Sequence, residues 1–381
     1  MLVVGAGMVG AACAYHCAAA GLRVAVVDRG AVASGTTSAG EGNILVSDKE
    51  PGPELDLALL SVRLWAALGE RLGADRLELE AKGGVVVARS PEALAGLTAL
   101  AARQRACGIT AEAVPPAGLA ELEPRLTRDV TGGVHYPQDM QVQPMRAAAE
   151  LLRHARSLGA TVHTATSVLG FRHGRDGALT GVRTSAGELS ARWVVNAAGT
   201  WGGEIAALAG APVPVLPRRG FVLVTEPLPP SVIRHKVYSA DYVANVASSD
   251  AGLETSVVVE GTRAGTVLVG ASRERVGFDR TTSLPVLRKL AAQAVGLFPF
   301  LADVHLLRSY LGFRPYCPDH LPVIGPDPRV PGLVHACGHE GAGIGLAAAT
   351  GHLIAQALTG TTPEVDLTPF RPDRFAAEAV S

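Results

Sequence analysis

Cysteine and net charge are both scarce in this chain of 381 residues. The five cysteines are odd in number and form no C-x-x-C pair, which argues against a disulfide framework and against a zinc site. We therefore expect no metal and a reducing, cytoplasmic setting. The formal net charge of −1 excludes a nucleic-acid binder that relies on a globally basic surface.

Charged side chains are also absent from residues 2–22, a stretch long enough to resemble a membrane span. This stretch lacks the basic residues that open a signal peptide, and its apolar residues divide into strand, loop and helix patterns. We therefore expect neither a targeting sequence nor a membrane span. Hydrophobic residues make up 48% of the chain and charged residues 18%, so a large buried core is available. The length indicates two domains, or one large domain with an insertion.

The strongest motif is G-x-G-x-x-G, formed by Gly5, Gly7 and Gly10 after an apolar run. A helical stretch and a second apolar run follow, and the second run ends at Asp28. This order predicts a dinucleotide-binding βαβ unit. Gly5 permits the tight turn, Gly7 lets a pyrophosphate approach the helix N-terminus, and Gly10 allows the helix to pack closely on the strand. Asp28 is placed to accept hydrogen bonds from ribose hydroxyls.

Three later segments have the small residues that a ligand site requires. Residues 34–43 are polar and glycine-rich, and form either an ordinary loop or a pocket wall lined by backbone. Residues 193–201 run from an apolar strand into small residues, as in a strand that ends beneath a ligand or in a buried strand with a tight turn. Residues 338–345 join a strand to a helix and offer a second helix N-terminus for an anion. No acid follows at the distance that a second complete dinucleotide site requires.

The spacing of these elements predicts the fold class. Strands are too dense over residues 213–307 for further βαβ units, and this density favours an antiparallel sheet. We predict an α/β protein, α+β overall, with a discontinuous Rossmann-like nucleotide-binding domain and a second, antiparallel-sheet domain that binds substrate. The predicted boundaries are 1–82, 144–212 and 311–381 for the first domain, and 83–143 and 213–310 for the second.

Four blocks of sequence, taken in order, resemble the flavin-dependent D-amino-acid oxidase superfamily. They are residues 5–29, 194–201, 312–325 and 338–344. This superfamily includes glycine oxidase, sarcosine oxidase, and the amino-acid and opine dehydrogenase subunits related to hydrogen cyanide synthase. The resemblance implies FAD as the cofactor, bound in an extended pose. Together with the glycine motif it assigns to the cofactor Gly5, Gly7, Met8, Val9, Gly10, Asp28, Arg29, Thr36, Thr37, Ser38, Glu41, Gly42, Asn43, Val168, Ala198, Gly199, Trp201, Gly338, His339, Gly341, Ala342, Gly343 and Ile344.

The resemblance also implies a substrate site around Arg314, which matches the arginine that binds the substrate carboxylate in the family. A planar guanidinium suits this role because it binds a carboxylate at two points. The alternative is a structural arginine that satisfies loop carbonyls. The catalytic candidates are Arg314, His339 and Glu340, and the substrate-binding candidates are Arg314, Asn43, Tyr242 and Tyr316.

Several of these candidates have a second interpretation. His339 is either a proton relay or the residue that shapes the turn. Glu340 either faces a cationic amine or a bulkier substrate, or is a solvated loop carboxylate. Tyr242 and Tyr316 either cover the substrate or pack at the rim of the core.

Two departures from the family pattern have consequences. Glycine oxidases carry an aromatic residue and then an arginine after Gly-His, whereas this chain has Glu340 and Gly341, so a second basic substrate contact is expected to be missing. Sarcosine oxidases that bind flavin covalently use a cysteine near the position of Gly312. Cys317 lies too close to Asp319 to match it. The FAD is therefore expected to be non-covalent.

The function implied is oxidation of the C–N bond of an amino acid or N-substituted amino acid, by hydride transfer to flavin N5 to give an imine. Within this class the sequence favours secondary amines. One alternative is the flavin-bearing subunit of a hetero-oligomer that passes electrons to a partner subunit. A third possibility is an NAD(P)-dependent dehydrogenase. A homo-oligomer is left open, and no nucleic-acid partner is expected.

Overall fold

The computed structural model describes residues 1–246 and 248–375, and these fold into helices and strands of mixed α/β order. The helices are α1 (Met8–Ala19), α2 (Pro53–Leu72), α3 (Ala74–Leu77), α4 (Pro91–Ala106), α5 (Pro116–Leu122), α6 (Pro144–Ser157), α7 (Gly202–Leu208), α8 (Ala240–Val246), α9 (Leu284–Leu297) and α10 (Gly343–Thr359). The strands are β1 (Leu2–Val4), β2 (Ala25–Val27), β3 (Asn43–Ile44), β4 (Gly84–Ala88), β5 (Glu112–Val114), β6 (Gly132–Tyr136), β7 (Met140–Gln141), β8 (Thr161–His163), β9 (Val168–His173), β10 (Leu179–Thr184), β11 (Gly187–Ser190), β12 (Val194–Asn196), β13 (Leu216–Thr225), β14 (Lys236–Ser239), β15 (Glu254–Gly261), β16 (Val267–Arg273), β17 (Leu306–Tyr316), β18 (Val323–Pro326) and β19 (Leu333–Cys337).

The first large sheet has six strands in the order β18-β19-β12-β1-β2-β8. All neighbours are parallel except β18 and β19. Strands β1 and β12 are short, entirely apolar apart from Asn196, and buried along their whole length. Such continuous apolar runs are typical of parallel strands covered on both faces. The predicted βαβ unit is therefore present as β1, α1 and β2.

The second large sheet has eight strands in the order β17-β13-β16-β15-β14-β4-β6-β5. Its neighbours are antiparallel except β14 and β4, which run parallel. The mixed α/β fold with this second sheet confirms the predicted fold class. Strand β17 crosses the boundary drawn at residue 311, and the division into domains stays a prediction.

Helix α10 lies in the core beside the six-stranded sheet. It packs on α1 and α2, where Trp65 Nε1 donates to the Gly345 carbonyl at 3.0 Å. Within the described residues, Glu340–Thr359 is the one stretch long and apolar enough to cross a membrane by length and composition, and 56% of its apolar window is buried. The sequence analysis expected a helix after residue 345, but it weighed only residues 2–22 as a membrane span. Packing on two neighbouring helices accounts for its apolar composition.

The far face of the second sheet is covered by α9, a helix that the sequence analysis missed inside the β-rich segment. Its buried residues are Val286, Leu290, Ala294 and Leu297, spaced three or four apart. Together with Phe298 they pack on the inward residues of β13, β15 and β16. These residues form a hydrophobic core on one face of the eight-stranded sheet. Residues on the opposite face of that sheet pack in the core that contains β1, α1 and α10.

Candidate active site

A cavity of about 610 Å³ lies between the two large sheets. One wall is formed by the residues that follow the carboxyl ends of β1, β2 and β12, and the other by residues of β13 and β17. The carboxyl ends of parallel strands are where open α/β sheets bind ligands. The volume is within the range of small-molecule and cofactor pockets.

The glycine-rich turn has the geometry that its sequence predicts. Gly5 has a φ of +113°, and a Cβ at this position would lie 2.4 Å from the Ala197 carbonyl oxygen. A Cβ at Gly10 would lie 2.0 Å from the Gly5 carbonyl oxygen. Only glycine therefore fits at either position, and α1 packs directly on the turn. Gly7 lines the cavity in front of the α1 N-terminus, where the Met8 N–H donates to Thr37 Oγ1 at 3.0 Å.

Asp28 is fixed at the end of β2 and lines the cavity. Its Oδ2 accepts from the Ala6 N–H and its Oδ1 from the Gly30 N–H, both at 2.7 Å. Each carboxylate oxygen has a second acceptor position, so Asp28 is still able to bind ribose hydroxyls. The segment that leads into Val168 lies beside it, since the Thr166 N–H donates to the Asp28 carbonyl.

Aromatic and guanidinium groups border the cavity near the same end. The Arg29 guanidinium lies 4.2 Å from the centre of the Trp201 ring, and both residues line the cavity. The Trp201 ring stacks on Phe278 with the ring centres 5.6 Å apart. Trp201 is therefore held between a cation and a second ring, and forms a rigid part of the wall.

The other end of the cavity contains the substrate candidates and the start of α10. Arg314, Asn43 and Tyr242 line it together with Gly341 and residues 343–344. The N-terminus of a helix of this length has unpaired backbone N–H groups and favours negative charge. The predicted carboxylate site and the second helix N-terminus are thus brought together.

Arg314 is positioned by strand pairing. It lies on β17 opposite Arg218 of β13, and its Nη1 donates to the Ser272 carbonyl at 2.8 Å. A Cβ at Gly220 would lie only 2.2 Å from Arg314 Nη1, so this glycine leaves the space that the guanidinium occupies. Burial, with a contribution from the charge of Arg273, lowers the pKa of Arg314. One of its five N–H donors satisfies a carbonyl and the side chain still lines the cavity.

A second arginine, missed by the sequence analysis, lies near Arg314. Arg273 is 4% exposed and lines a smaller cavity of about 30 Å³, which shares Tyr242 and Arg314 with the large one. Its guanidinium lies 5.2 Å from the centre of the Tyr242 ring. A second basic group is therefore present near Arg314, although it does not line the large cavity, and the absence of a second basic substrate contact stays a prediction. Arg273 comes from β16, a segment with no motif to mark it.

Glu340 lines both cavities, but its carboxylate is already bound by the protein. Arg218 Nη1 donates to Oε1 at 2.5 Å, and His320 Nδ1 lies 3.0 Å from Oε2. Burial opposes ionisation, yet His320 and Arg218 together lower the pKa of Glu340. It is neither a solvated loop carboxylate nor free to face an amine. The structure favours a role in holding the loop before α10.

His339 also lines the cavity and is neutral. Burial lowers its pKa to about 3. Thr350 donates its hydroxyl proton to the Leu346 carbonyl, so its oxygen accepts from Nε2 of His339, 2.9 Å away. We infer the Nε2-protonated tautomer from this pattern. A fixed neutral imidazole suits the turn-shaping role better than the proton relay.

Six predicted site residues do not line the large cavity. Two of them, Tyr316 and Ser38, make contacts within the protein instead. Tyr316 is 2% exposed, and Arg218 and Arg275 lie over its ring at 5.4 and 5.0 Å. It is covered by the ion pair between Arg218 and Glu340, so the predicted substrate contact is corrected to core packing. The Ser38 hydroxyl donates to the Gly35 carbonyl within its own turn.

The other four have local structural roles. A Cβ at Gly42 would lie 1.8 Å from the Val142 carbonyl oxygen, so Gly42 permits a close approach of two backbone segments. Gly338 has a φ of +76°, and a Cβ there would lie 2.5 Å from Cys317 Sγ. Ala342 lines only the small cavity, and Gly10 contacts the turn as described.

The residues of the cavity fit FAD. The glycine turn, Asp28 and the α1 N-terminus suit an adenine dinucleotide at one end, and the α10 N-terminus suits a flat, electron-rich ring at the other. Buried atoms without partners, Asn43 Oδ1 and Glu41 Oε1, are found at that second end. All five cysteines are in the described ranges and none of them lines the cavity; that the FAD is non-covalent stays a prediction.

Comparisons with known proteins agree with this site. Residues 1–357 match the family model DAO, described as FAD dependent oxidoreductase. Hydrogen cyanide synthase subunit HcnC of Pseudomonas aeruginosa is 30% identical, over 99% of this chain and 96% of the relative. Glycine oxidase of Geobacillus kaustophilus is 31% identical, over 97% of this chain and 95% of the relative.

Solved structures agree as well. The crystal structure of glycine oxidase from G. kaustophilus has a TM-score of 0.88 at 28% identity and covers 98% of both chains. That of iminodiacetate oxidase from Chelativorans sp. has a TM-score of 0.83 at 27% identity, over 97% of this chain and 98% of the other. The cofactor is thus FAD, and the interpretation as an NAD(P)-dependent dehydrogenase is not supported. The chain is a member of the DAO family of FAD-dependent oxidoreductases.

Proposed function

We propose that this enzyme oxidises the C–N bond of an amino acid or an N-substituted amino acid. The observation that carries the proposal is the position of Arg314, a half-buried guanidinium on the cavity wall at the end where α10 begins. Two proteins similar to this chain are a glycine oxidase and an iminodiacetate oxidase, both named for substrates with a carboxylate and an amine.

The chain's own residues bind and orient the substrate. Arg314 binds its carboxylate at two points and so directs the Cα–H bond along the cavity. Tyr242 and Asn43 border the same space and limit how the substrate turns. The positive end of α10 stabilises negative charge that develops at the wall beside it. FAD, when bound, supplies the two-electron acceptor for the hydride that leaves Cα.

Within this class we favour secondary amines that have a second carboxylate. A Cβ at Gly341 would lie 3.6 Å from Arg314 Nε, so a larger residue there would fill the space beside the guanidinium. The glycine leaves this space to a substituent on the substrate nitrogen. Arg273, close to Arg314, is suited to a second acidic group. N-carboxymethyl amino acids and opines have this chemistry.

The test is anaerobic reduction of the bound flavin, with D-, L- and N-carboxymethyl amino acids as substrates. Arg314→Ala is expected to weaken substrate binding about 100-fold, because two charge-assisted hydrogen bonds are lost. Arg308→Ala is the matched control, since Arg308 is exposed on the same strand. Unchanged substrate affinity in Arg314→Ala would contradict the carboxylate assignment. Faster reduction by glycine or D-alanine than by any secondary amine would contradict the preferred substrate class.

A second candidate is a flavin-bearing subunit that passes electrons to a partner subunit instead of oxygen. Its support is the similarity to HcnC, which is itself named as a subunit. The isolated chain would then reduce an artificial dye with substrate but release hydrogen peroxide slowly. Rapid peroxide release in air would exclude this candidate.

A further inference from the structure

We propose that Glu41 binds the substrate's ammonium group and takes a proton from it before the Cα–H bond breaks. The inference rests on the proposed function, because it assigns a role within the same substrate site. The resemblance to the family implied only that Glu41 belongs to the loop beside the cofactor. Its surroundings point to the substrate instead.

Glu41 lies on the cavity wall with one oxygen unpartnered. Its side chain is 7% exposed, its Oε2 accepts from Asn43 Nδ2 at 3.2 Å, and its Oε1 is buried without a hydrogen-bond partner among the described residues. A Cβ at Gly270 would lie 2.7 Å from Oε1, so a glycine leaves room for this oxygen. A buried acceptor left unpaired is unfavourable, and a donor from the ligand would offset this cost.

Lys236 is the cation next to Glu41, and it also pairs with Glu260. Lys236 Nζ lies 3.6 Å from Glu41 Oε2 and 2.6 Å from Glu260 Oε2, and both partners of this second contact are buried. One ammonium between two carboxylates leaves a net negative charge on the cluster. Arg314 lines the same cavity, and its positive charge acts on Glu41. A zwitterionic substrate therefore fits with its carboxylate at Arg314 and its ammonium at Glu41.

Among the described residues, one other acid at this end has a buried oxygen without a hydrogen-bond partner, Asp48 Oδ1, but this oxygen lies 3.0 Å from Lys49 Nζ and Asp48 lines only the small cavity. Glu340 binds Arg218 and His320, as described above. Glu54 lines the small cavity, but it lies 3.3 Å from Lys49, which it shares with Asp48. Among the described acids that line the large cavity, Glu41 is the one with a buried oxygen that has neither a hydrogen bond nor an ion pair, whereas Glu204 is exposed.

The proton transfer is balanced within the site. The N–H bond of the ammonium breaks, its electron pair stays on nitrogen, and a new O–H bond forms at Glu41 Oε1. The nitrogen lone pair would then assist loss of hydride from Cα, and FAD, when bound, would be the acceptor. Burial raises the pKa of Glu41 against the opposing effect of Lys236, which brings a carboxylate nearer to the range of a useful base. The titratable and charged groups that face Glu41 are Lys236, Tyr242, Glu260, Tyr310 and Arg314.

The test compares Glu41→Gln with the wild-type enzyme by the pH dependence of anaerobic flavin reduction. The wild-type rate should reach a plateau once Glu41 is ionised. In Glu41→Gln only free amine reacts, so the rate should keep rising about tenfold per pH unit up to the pKa of the substrate amine. Glu41→Asp should keep a plateau at a lower rate, and provides a test if the glutamine variant fails to fold. Glu274→Gln is the matched control, because Glu274 binds Arg219 outside the cavity and its loss should leave the profile unchanged.

Binding gives a second readout that does not depend on turnover. Perturbation of the flavin absorbance by propionate, a carboxylate without an amine, should report equal or tighter binding in Glu41→Gln. The Kd of the amino-acid substrate, measured at the start of reduction, should rise about tenfold or more, as for loss of one charged hydrogen bond. A retained plateau in Glu41→Gln, equal weakening of both ligands, or loss of FAD without a change in profile would overturn the assignment. If no amino acid reduces the wild-type flavin, the proposed function fails first and this inference fails with it.

Discussion

Asp139→Asn is expected to flatten the pH dependence of the protein's stability. Asp139 lies between β6 and β7 with no exposed surface. Its Oδ1 accepts from the Val46 N–H at 2.9 Å and from the Ser47 N–H at 3.3 Å, and the Ser47 hydroxyl contacts Oδ2. A Cβ at Gly84 would lie 2.2 Å from Oδ2, so the site is closely packed. Burial raises the pKa of Asp139 from 3.8 to about 7, although the hydrogen bonds from Ser47 and Val46 oppose it.

The sign and size of the change in unfolding free energy with pH follow from the difference between the folded and unfolded pKa of Asp139. The folded protein keeps the proton up to about pH 7, whereas the unfolded chain loses it near pH 4, so the folded state binds more protons in between. The stability from this group is complete below the unfolded pKa and is lost as pH rises through the folded pKa. Between about pH 5 and pH 8 the loss is about 2–3 kcal/mol in the free energy of unfolding.

The assay is urea unfolding of the wild-type protein and Asp139→Asn at several pH values in this interval. Asparagine cannot ionise, and its amide oxygen can accept the same two backbone N–H groups. We therefore expect the variant to match the wild type near pH 5 and to exceed it by about 2–3 kcal/mol near pH 8. Asp176→Asn, in an exposed turn, is the control and should leave the slope unchanged. Parallel stability curves for the wild type and Asp139→Asn would refute the reasoning.

Two further predictions concern the cofactor end of the cavity. Gly10→Ala should destabilise the protein by about 3 kcal/mol and abolish FAD binding, because its Cβ would meet the Gly5 carbonyl oxygen at 2.0 Å. Gly96→Ala, at an exposed position inside α4 with open space around it, should instead raise the free energy of unfolding by about 1 kcal/mol, and a loss in both variants would count against the steric argument. Trp201→Ala should weaken FAD binding about tenfold in titrations of the apoprotein, since the wall that pairs with Arg29 is lost. An unchanged Kd for FAD would place the cofactor elsewhere.

The cofactor turn was predictable because its determinants are close in sequence. Gly5 and Gly10 are constrained by a turn of six residues, and Asp28 follows the next strand. Each requirement, for a positive φ, for a close helix or for an acid at a strand end, has a residue type that reveals it. Helix α9 was equally readable from its apolar spacing, and was missed because the surrounding strands dominated the interpretation of that segment.

The substrate end was only partly predictable because it depends on which strands pair. Arg314 belongs to a recognisable block, but Gly220, which makes room for it, lies in a β13 sequence without a motif. Tyr316 follows Arg314 by two residues and shares its face of β17, so it was a reasonable candidate. Arg218, from the paired strand, lies over its ring and separates it from the cavity. Register between strands far apart in sequence decides such contacts, and no local pattern reports it.

The acidic residues at the substrate end differ in their charged partners, and this difference indicates their roles better than their location does. Glu41, Glu54 and Glu340 are all partly buried carboxylates at the substrate end, and their residue type alone does not distinguish them. Burying a charge is unfavourable unless it is paired, so Glu54 beside Lys49 and Glu340 beside Arg218 are compensated by the protein itself. Glu41 shares Lys236 with Glu260 and keeps one oxygen without a donor. A fold that compensates two acids and leaves the third incompletely paired, in the cavity that Arg314 also lines, has the charge pattern of a site whose remaining donor comes from the substrate.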